Sequence, residues 1–217
     1  MNRTVRILVI DDHPIVRDGL EHLLAREEDL VICGFAEDAE SGMRTINEVH
    51  PDLAIVDISL KAGKSGLELT KMIHTQYPSL PVLILSMHDE SLYAERVIRS
   101  GARGYVMKHE MTSTIVNAIR QVMGGKIFLS EKMTSRLLDN LMFDQPQKIT
   151  NPVEKLTDRE LEVFRLMGQG TKTSEIAEKL KVSVKTIDTH RLRIKNKLNL
   201  KSSSELIKFA VEWSGNQ

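Results

Sequence analysis

Five short apolar runs set the terms on which this chain can fold: "RILVI" at 6–10, "LVICGF" at 30–35, "LAIVD" at 53–57, "PVLILS" at 81–86 and "GYVMK" at 104–108. None alternates polar with apolar as a half-exposed strand does, so each reads as a strand covered on both faces. The segments between them carry apolar residues at helical spacing: Ile15/Leu20/Leu23/Leu24, Met43/Ile46, Leu67/Leu69/Met72/Ile73, Ala94/Val97/Ile98 and Ile115/Ala118/Ile119/Val122. Strands alternating with helices of that length make βαβ units, and hence a parallel sheet with helices on both sides. The fifth unit ends near Gly124-Gly125.

A sheet of this kind gathers particular polar residues. Asp11 and Asp12 follow the first strand, Asp57 ends the third, Ser86 the fourth and Lys108 the fifth. An open α/β sheet binds its ligands beyond the carboxyl ends of its strands, at the switch in strand order. Three carboxylates meeting there repel one another, and burial makes each harder to ionise. Mg²⁺, a hard cation that needs few protein ligands, offsets that repulsion, and Lys108 adds a positive charge opposite the acids. One strand-end aspartate is ordinarily a helix cap, and one lysine is ordinarily a solvated surface group. Their convergence at one end is what points to a site.

The remainder of the chain has a different character. The formal net charge of zero conceals −4 over residues 1–150 and +4 over residues 151–217. That asymmetry predicts two modules with different partners. The apolar content of 41% is that of an ordinary globular protein. No run approaches a membrane span, and no apolar leader precedes the first strand, so a cytoplasmic protein without membrane contact is expected. A single cysteine, Cys33, leaves no internal disulfide and reads as a small buried hydrophobe.

Between the modules, Met133, Leu137, Leu138, Leu141 and Met142 share a helical face, and "DQPQKITNP" at 144–152 reads as a linker. The expected boundaries are residues 1–124, a joining segment with a short helix at 125–152, and a second domain at 153–217. "LTDRELEVFRLMGQG" opens that domain with a capping box, Thr157 and Glu160, ahead of an apolar stripe that Gly168 or Gly170 ends. A shorter helix at 173–180 and the tight turn "KVS" lead to Ser183 as the next cap and to "VKTIDTHRLRIKNKL". There Ile187, Ile194 and Leu198 form the inward face, with His190 or Arg191 between them. Residues 184–201 hold six basic residues and one acid, Asp188. Two short helices joined by a tight turn, the second of them basic, make a helix-turn-helix whose second helix fits a major groove about 12 Å wide. On the last helix Leu206, Phe209, Ala210 and Trp213 share one face, and Ile207 and Val211 lie on another that remains for a partner.

The order Asp-Asp, Asp, Ser, Lys at these spacings resembles the receiver domain of two-component response regulators. "LTxRExEV…G…EIAxxL…S…TIxxHxxxIxxKL…EL" resembles the LuxR-type DNA-binding domain, and together they resemble the NarL/FixJ subfamily. The resemblance implies a flavodoxin-like (βα)5 receiver followed by a small all-α helix-turn-helix domain. It further implies Asp57 as phosphoacceptor, and Mg²⁺ held by Asp11, Asp12, Asp57 and the backbone carbonyl of Ser59. Lys108 and Ser86 would contact the phosphoryl group, and Tyr105 occupies the aromatic switch position. Lys185, Asp188, Thr189 and Arg193 would lie near bases or the groove floor. Thr186, Arg191, Lys195 and Lys197 would lie nearer phosphates, with His190 packing or touching phosphate. Ile207 and Val211 would make the dimer contact. The implied partners are a sensor histidine kinase, double-stranded promoter DNA and a second copy of the chain when phosphorylated. No separate enzymatic activity is implied beyond the receiver's own phosphotransfer and dephosphorylation. The chain departs from the family at "DISLKAGKSG", where Leu60-Lys61 replaces Met-Pro and Gly66 stands nine residues after Asp57 instead of eight. That departure keeps open a regulator that binds DNA without phosphorylation. A phosphohydrolase with an aspartate nucleophile would want a second acid at position 59, where this chain has Ser59.

Overall fold

The computed structural model describes residues 4–60, 64–88, 90–142 and 152–215. It divides into two compact units, residues 1–139 and 140–217. In the first, strands β1 (Val5–Ile10), β2 (Leu30–Ala36), β3 (Leu53–Asp57), β4 (Val82–Ser86) and β5 (Gly104–Met107) alternate with helices α1 (Pro14–Leu24), α2 (Ala39–Val49), α3 (Gly66–Gln76), α4 (Glu90–Arg99) and α5 (Met111–Met123). All strand pairs are parallel, in the order β2-β1-β3-β4-β5. Ile7 and Val9 lie in one core with Leu20 and Leu24 of α1 and Ile115, Ala118, Ile119 and Val122 of α5. On the other face, Ile10 packs so close to Gly42 of α2 that a Cβ there would come within 2.9 Å of it. Both faces of the central strands are thus dry, which is why those runs do not alternate.

The order reverses after β1, with β2 on one side and β3 on the other, so a crevice opens beyond the carboxyl ends of β1 and β3. Cys33 lies on the edge strand β2, half-buried, and its thiol donates to the Ile7 carbonyl at 3.4 Å.

The segment after Gly125 is fastened to the first unit. The Phe128 N–H donates to the Arg103 carbonyl at 2.9 Å, and the Tyr105 N–H donates to the Phe128 carbonyl at 2.9 Å, which extends β5 by one parallel bridge. The Ser130 N–H then donates to the carboxylate of Glu90, the first residue of α4, at 2.9 Å. Ser130 starts α6 (Glu131–Met142), whose Met133 is buried. Leu138 is exposed. Residues 125–139, read from sequence as part of a joining segment, therefore belong by contact to the first unit. The side chains of Leu141 and Met142 and the stretch 143–151 lie outside what the structure describes, as does Lys61.

The second unit holds α7 (Asp158–Gly168), α8 (Thr173–Lys179), α9 (Val184–Lys197) and α10 (Ser203–Gly215). Phe164 is its fully buried centre, with the rings of Phe209 and Trp213 at 5.7 and 5.4 Å. Gly168 and Gly170 have separate duties. A Cβ on Gly168 would overlap Ala210 and Ser214 of α10, so that glycine permits helix contact. Gly170, at φ +77°, turns the chain, while the Thr171 N–H reaches back to the Leu166 carbonyl at 3.1 Å. Lys181, at φ +50°, makes the same left-handed turn between α8 and α9. Among the described residues no helix is long and apolar enough to cross a membrane.

Candidate functional site

The carboxyl ends of β1, β3 and β5 bring Asp11, Asp12, Asp57 and Lys108 together. The three aspartates are 1%, 3% and 2% exposed, burial that carboxylates ordinarily accept only when paired. Lys108 Nζ stands 2.8 Å from both Asp11 Oδ2 and Asp57 Oδ2. One ammonium does not balance three acids. Burial raises the Asp57 pKa above the usual carboxylate range; Asp11 adds to the shift, and Lys108 opposes it without cancelling it. Burial also works against the charge of Lys108, but Asp57 and Asp11 outweigh it and hold its pKa above the ordinary lysine value.

The neighbourhood of Asp57 is held from behind. A Cβ on Gly66 would overlap the Asp57 carbonyl, so only glycine lets the start of α3 close over β3. The Gly66 N–H donates to the Ile58 carbonyl at 2.9 Å, and Ser65 and Glu68 form a capping box. The lengthened loop thus re-enters its helix through an ordinary cap. The Ser59 N–H donates to Asp57 Oδ1 at 3.2 Å. Ser86, fully buried at the end of β4, accepts the His88 N–H at 3.1 Å. Tyr105 is turned inward, 2% exposed, and its hydroxyl donates to the His88 carbonyl at 2.7 Å. Burial drives its phenol pKa well above the ordinary value.

Two histidines were not singled out from sequence. His13 stands at the position before α1 without a side-chain capping bond, and its ring Nδ1 lies 3.0 Å from both Asp11 Oδ1 and Asp12 Oδ1 and 3.8 Å from Asp57 Oδ2. Its place directly after the Asp pair was the available signal. His88 bridges to the Ser59 hydroxyl at 2.9 Å and stacks on Tyr93, with ring centroids 5.0 Å apart. That link joins loops 29 residues apart and has no local sequence signature. The four ligand atoms of Asp11, Asp12, His13 and Asp57 lie within 4.8 Å of one another. A concentration of buried carboxylates exceeding its organic counter-charge has the donor chemistry of a hard divalent cation.

In the second unit, α9 divides its side chains as the periodicity predicts. Ile187, Ile194 and Leu198 are buried. Lys185, Asp188, Thr189 and Arg193 are exposed, and Val184, Leu192 and Asn196, not anticipated, are exposed with them. Thr186 is half-buried, and the Ser183 cap accepts its N–H at 3.1 Å. Arg191 is turned back onto Thr173 of α8 at 3.0 Å and toward Asp188 at 3.5 Å. Lys195 is half-buried. Lys197 is committed elsewhere: its ammonium lies 2.6 Å from the buried carboxylate of Glu160 in α7. His190 is half-buried, and burial together with Arg159 and Arg193 lowers its pKa. On α10 Leu206 and Ala210 are buried, while Ile207 and Val211 are 45% and 48% exposed.

Comparison with known proteins agrees with both halves. Residues 7–120 match the response regulator receiver domain, and residues 154–210 match the bacterial regulatory proteins of the luxR family. The chain is 35% identical over 212 residues to the oxygen regulatory protein NreC of Staphylococcus epidermidis, covering 96% of this chain and 97% of that one. It is 36% identical over 211 residues to NreC of Staphylococcus carnosus, with the same coverage. Among solved structures, RcsB of Salmonella typhimurium aligns with a TM-score of 0.72 at 26% identity, covering 97% of this chain and 98% of that one. RcsB bound to the promoter rprA in the presence of the phosphomimetic BeF3⁻ aligns at 0.67 and 25% identity, covering 96% and 99%. The chain belongs to the response regulators of NarL/FixJ type, in which a phosphoacceptor receiver domain precedes a luxR-type DNA-binding domain and controls transcription.

Proposed function

We propose that Asp57 is the residue through which this regulator is switched, and that α9 is the helix that reads its promoter. The observation that carries the first half is the convergence of Asp11, Asp12, Asp57 and Lys108 at one end of the sheet. The phosphodonor is a histidine kinase, in keeping with the receiver domain. A carboxylate oxygen of Asp57 attacks the phosphorus of the donor phosphohistidine. The P–O bond forms as the P–N bond breaks, and the departing imidazole nitrogen takes up a proton. Asp11, Asp12, Asp57 and the Ser59 carbonyl are the ligands that would hold Mg²⁺, which when bound neutralises charge on the phosphoryl oxygens. Lys108 stays paired with the reacting group, and Ser86 hydrogen-bonds it after transfer. Attack by water on the acyl phosphate later restores Asp57. The receiver's chemistry is confined to its own phosphorylation state.

Phosphorylation then biases an existing two-state equilibrium through Ser86 and Tyr105. The main chain of His88 touches both residues, and two bonds lead outward from them. Tyr105 binds Phe128 through its N–H, and Glu90, two residues beyond His88, binds Ser130. The start of α6 is therefore in register with the switch. The output is promoter binding by a dimer, in line with the RcsB structures on DNA. Ile207 and Val211 supply the dimer contact, and the half-sites stand one helical turn, about 10 bp, apart.

Incubation with acetyl phosphate and Mg²⁺ should raise the intact mass by one phosphoryl group. The phosphorylated protein should also footprint its promoter at lower concentration than the unmodified one. Equal DNA affinity in both states would favour regulation without phosphorylation. The positions on α9 make a separate prediction. Lys195→Ala should reduce the slope of log K against log salt by about 0.9, the loss of one phosphate contact. Lys197→Ala should leave that slope unchanged, because its charge is held by Glu160.

A further inference from the structure

We infer that His13 is a fourth side-chain ligand of the cation pocket, beside the three aspartates and the Ser59 carbonyl, so that this receiver takes a borderline divalent transition ion through an imidazole nitrogen in addition to accepting Mg²⁺. The inference rests on the reading of Asp11, Asp12 and Asp57 as a cation site and adds to it a nitrogen donor, with a consequence for which metal is preferred. The placement of the ring is specific. The His13 N–H donates to Asp11 Oδ1 at 2.8 Å, and Pro14 begins α1 directly afterwards, so the main chain at His13 is fixed from both sides. The ring nitrogen nearer the main chain, Nδ1, is then delivered 3.0 Å from a carboxylate oxygen of Asp11 and 3.0 Å from one of Asp12. Ligands at neighbouring corners of an octahedron with bonds of about 2.1 Å stand about 3.0 Å apart. In the metal-free pocket Nδ1 is hydrogen-bonded to Asp11 Oδ1 at that distance, a spacing that two ligands of one ion also share, and Asp57 Oδ2 lies 3.8 Å away on a third side. About half of the His13 side chain remains exposed, so the ring has room to adjust as an ion enters.

Donor chemistry supplies the preference. An all-oxygen pocket suits Mg²⁺, which keeps its waters and gains little from imidazole. Imidazole favours the later first-row ions, whose affinities rise from Co²⁺ through Ni²⁺ to Cu²⁺ and fall again at Zn²⁺. With His13 in place, the pocket should rank Co²⁺ well above Mg²⁺ by more than the carboxylates alone dictate. His13→Asn tests this, since Asn remains acceptable at the first position before a helix.

The full chain is titrated calorimetrically with Co²⁺ and with Mg²⁺ at pH about 8, where an ordinary imidazole is neutral. Proton spectra of the Co²⁺-loaded protein are recorded alongside. The wild type should show hyperfine-shifted imidazole resonances. His13→Asn should lose them, weaken Co²⁺ binding at least tenfold and leave Mg²⁺ binding within about twofold. Unchanged Co²⁺ affinity, or imidazole signals that persist in the variant, would overturn the inference. Tighter binding of both ions in the variant would also overturn it, because His13 would then be a stand-in for the metal that an ion must displace. Asp12→Asn separates this from failure of the underlying pocket. If Asp12→Asn leaves both affinities intact, the cation pocket itself is wrong. If it weakens both while His13→Asn alters neither, only the role of His13 falls.

Discussion

Asp57→Asn is expected to abolish phosphoryl uptake from acetyl phosphate and, in the same protein, to raise the midpoint of thermal unfolding without metal. The first outcome follows from loss of the nucleophile; an amide oxygen does not form the acyl phosphate. The second follows from the charge balance of the pocket. Burial holds the Asp57 pKa above its ordinary value, so the folded chain binds that proton more tightly than the unfolded chain does. Stability is then greatest below the unfolded pKa of about 3.9 and declines as pH rises through the higher folded value. The penalty grows as pH rises toward neutrality. Asn removes it while Lys108 keeps Asp11 as partner at 2.8 Å, so the midpoint should rise. The gain should shrink toward pH 4 and under saturating Mg²⁺, which stabilises the wild type by binding it. Calorimetric scans at neutral pH with a chelator read the effect. A variant less stable than the wild type under those conditions would show that Lys108 needs both carboxylates and that the pocket is not overcharged.

The sheet and its acids were legible from the amino-acid order. The apolar runs of β1, β3, β4 and β5 are covered on both sides by a parallel sheet with helices on both faces, whereas the edge strand β2, read in the same way, leaves Val31 and Phe35 42% and 39% exposed. The register then places every strand-end polar residue without further information. Asp11, Asp12, Asp57 and Lys108 meet for that reason alone. His13 and His88 were missed for different reasons. His13 follows the acids so closely that it was absorbed into the loop. His88 owes its place to a hydrogen bond with Ser59 across two loops, and pairings at that separation leave no trace in local spacing. Inward Tyr105 was a matter of position in the chain, and its bond to the His88 carbonyl gives that position a structural meaning.

The end of the receiver was harder to read because its last packed segment is short. Residues 127–129 are the apolar run Ile-Phe-Leu, in which Phe128 pairs with the main chain of β5, and Met133 is buried. Gly104 is part of the cause. A Cβ there would sit 3.0 Å from Phe128 and 2.8 Å from Leu83, so a glycine at the first position of β5 admits the extra segment. A glycine at the start of an apolar strand run is the signal that was available. On α9 the buried stripe was legible because three apolar residues carry it. The fates of its cations were not, because an exposed lysine and a paired one look alike in sequence.

That distinction is sharpest at Lys197, and it leads to the largest effect expected in the second unit. Glu160 is 2% exposed, accepts the Thr157 N–H at 2.8 Å as the capping-box acid of α7, and lies 2.6 Å from Lys197 near the end of α9. Glu160→Ala removes the cap and leaves the Lys197 ammonium without its partner, so the DNA-binding unit should lose about 3 kcal/mol. Glu160→Gln keeps the capping box, which glutamine also forms, and loses only the charge, so its cost should be smaller. The two variants separate cap from ion pair. The acid limb of the stability curve gives an independent reading. Burial opposes ionisation of Glu160, but the hydrogen bond and charge of Lys197, aided by Thr157, outweigh it and lower its pKa from 4.5. A lowered carboxylate pKa contributes stability that is complete above the unfolded value and fades as pH falls through the folded one. Wild type should therefore lose stability below about pH 4.5 more steeply than Glu160→Gln, in which nothing at that position titrates. In both variants Lys197 is released from Glu160, so the salt slope of DNA binding should steepen by up to about 0.9, whereas Lys197→Ala leaves it unchanged.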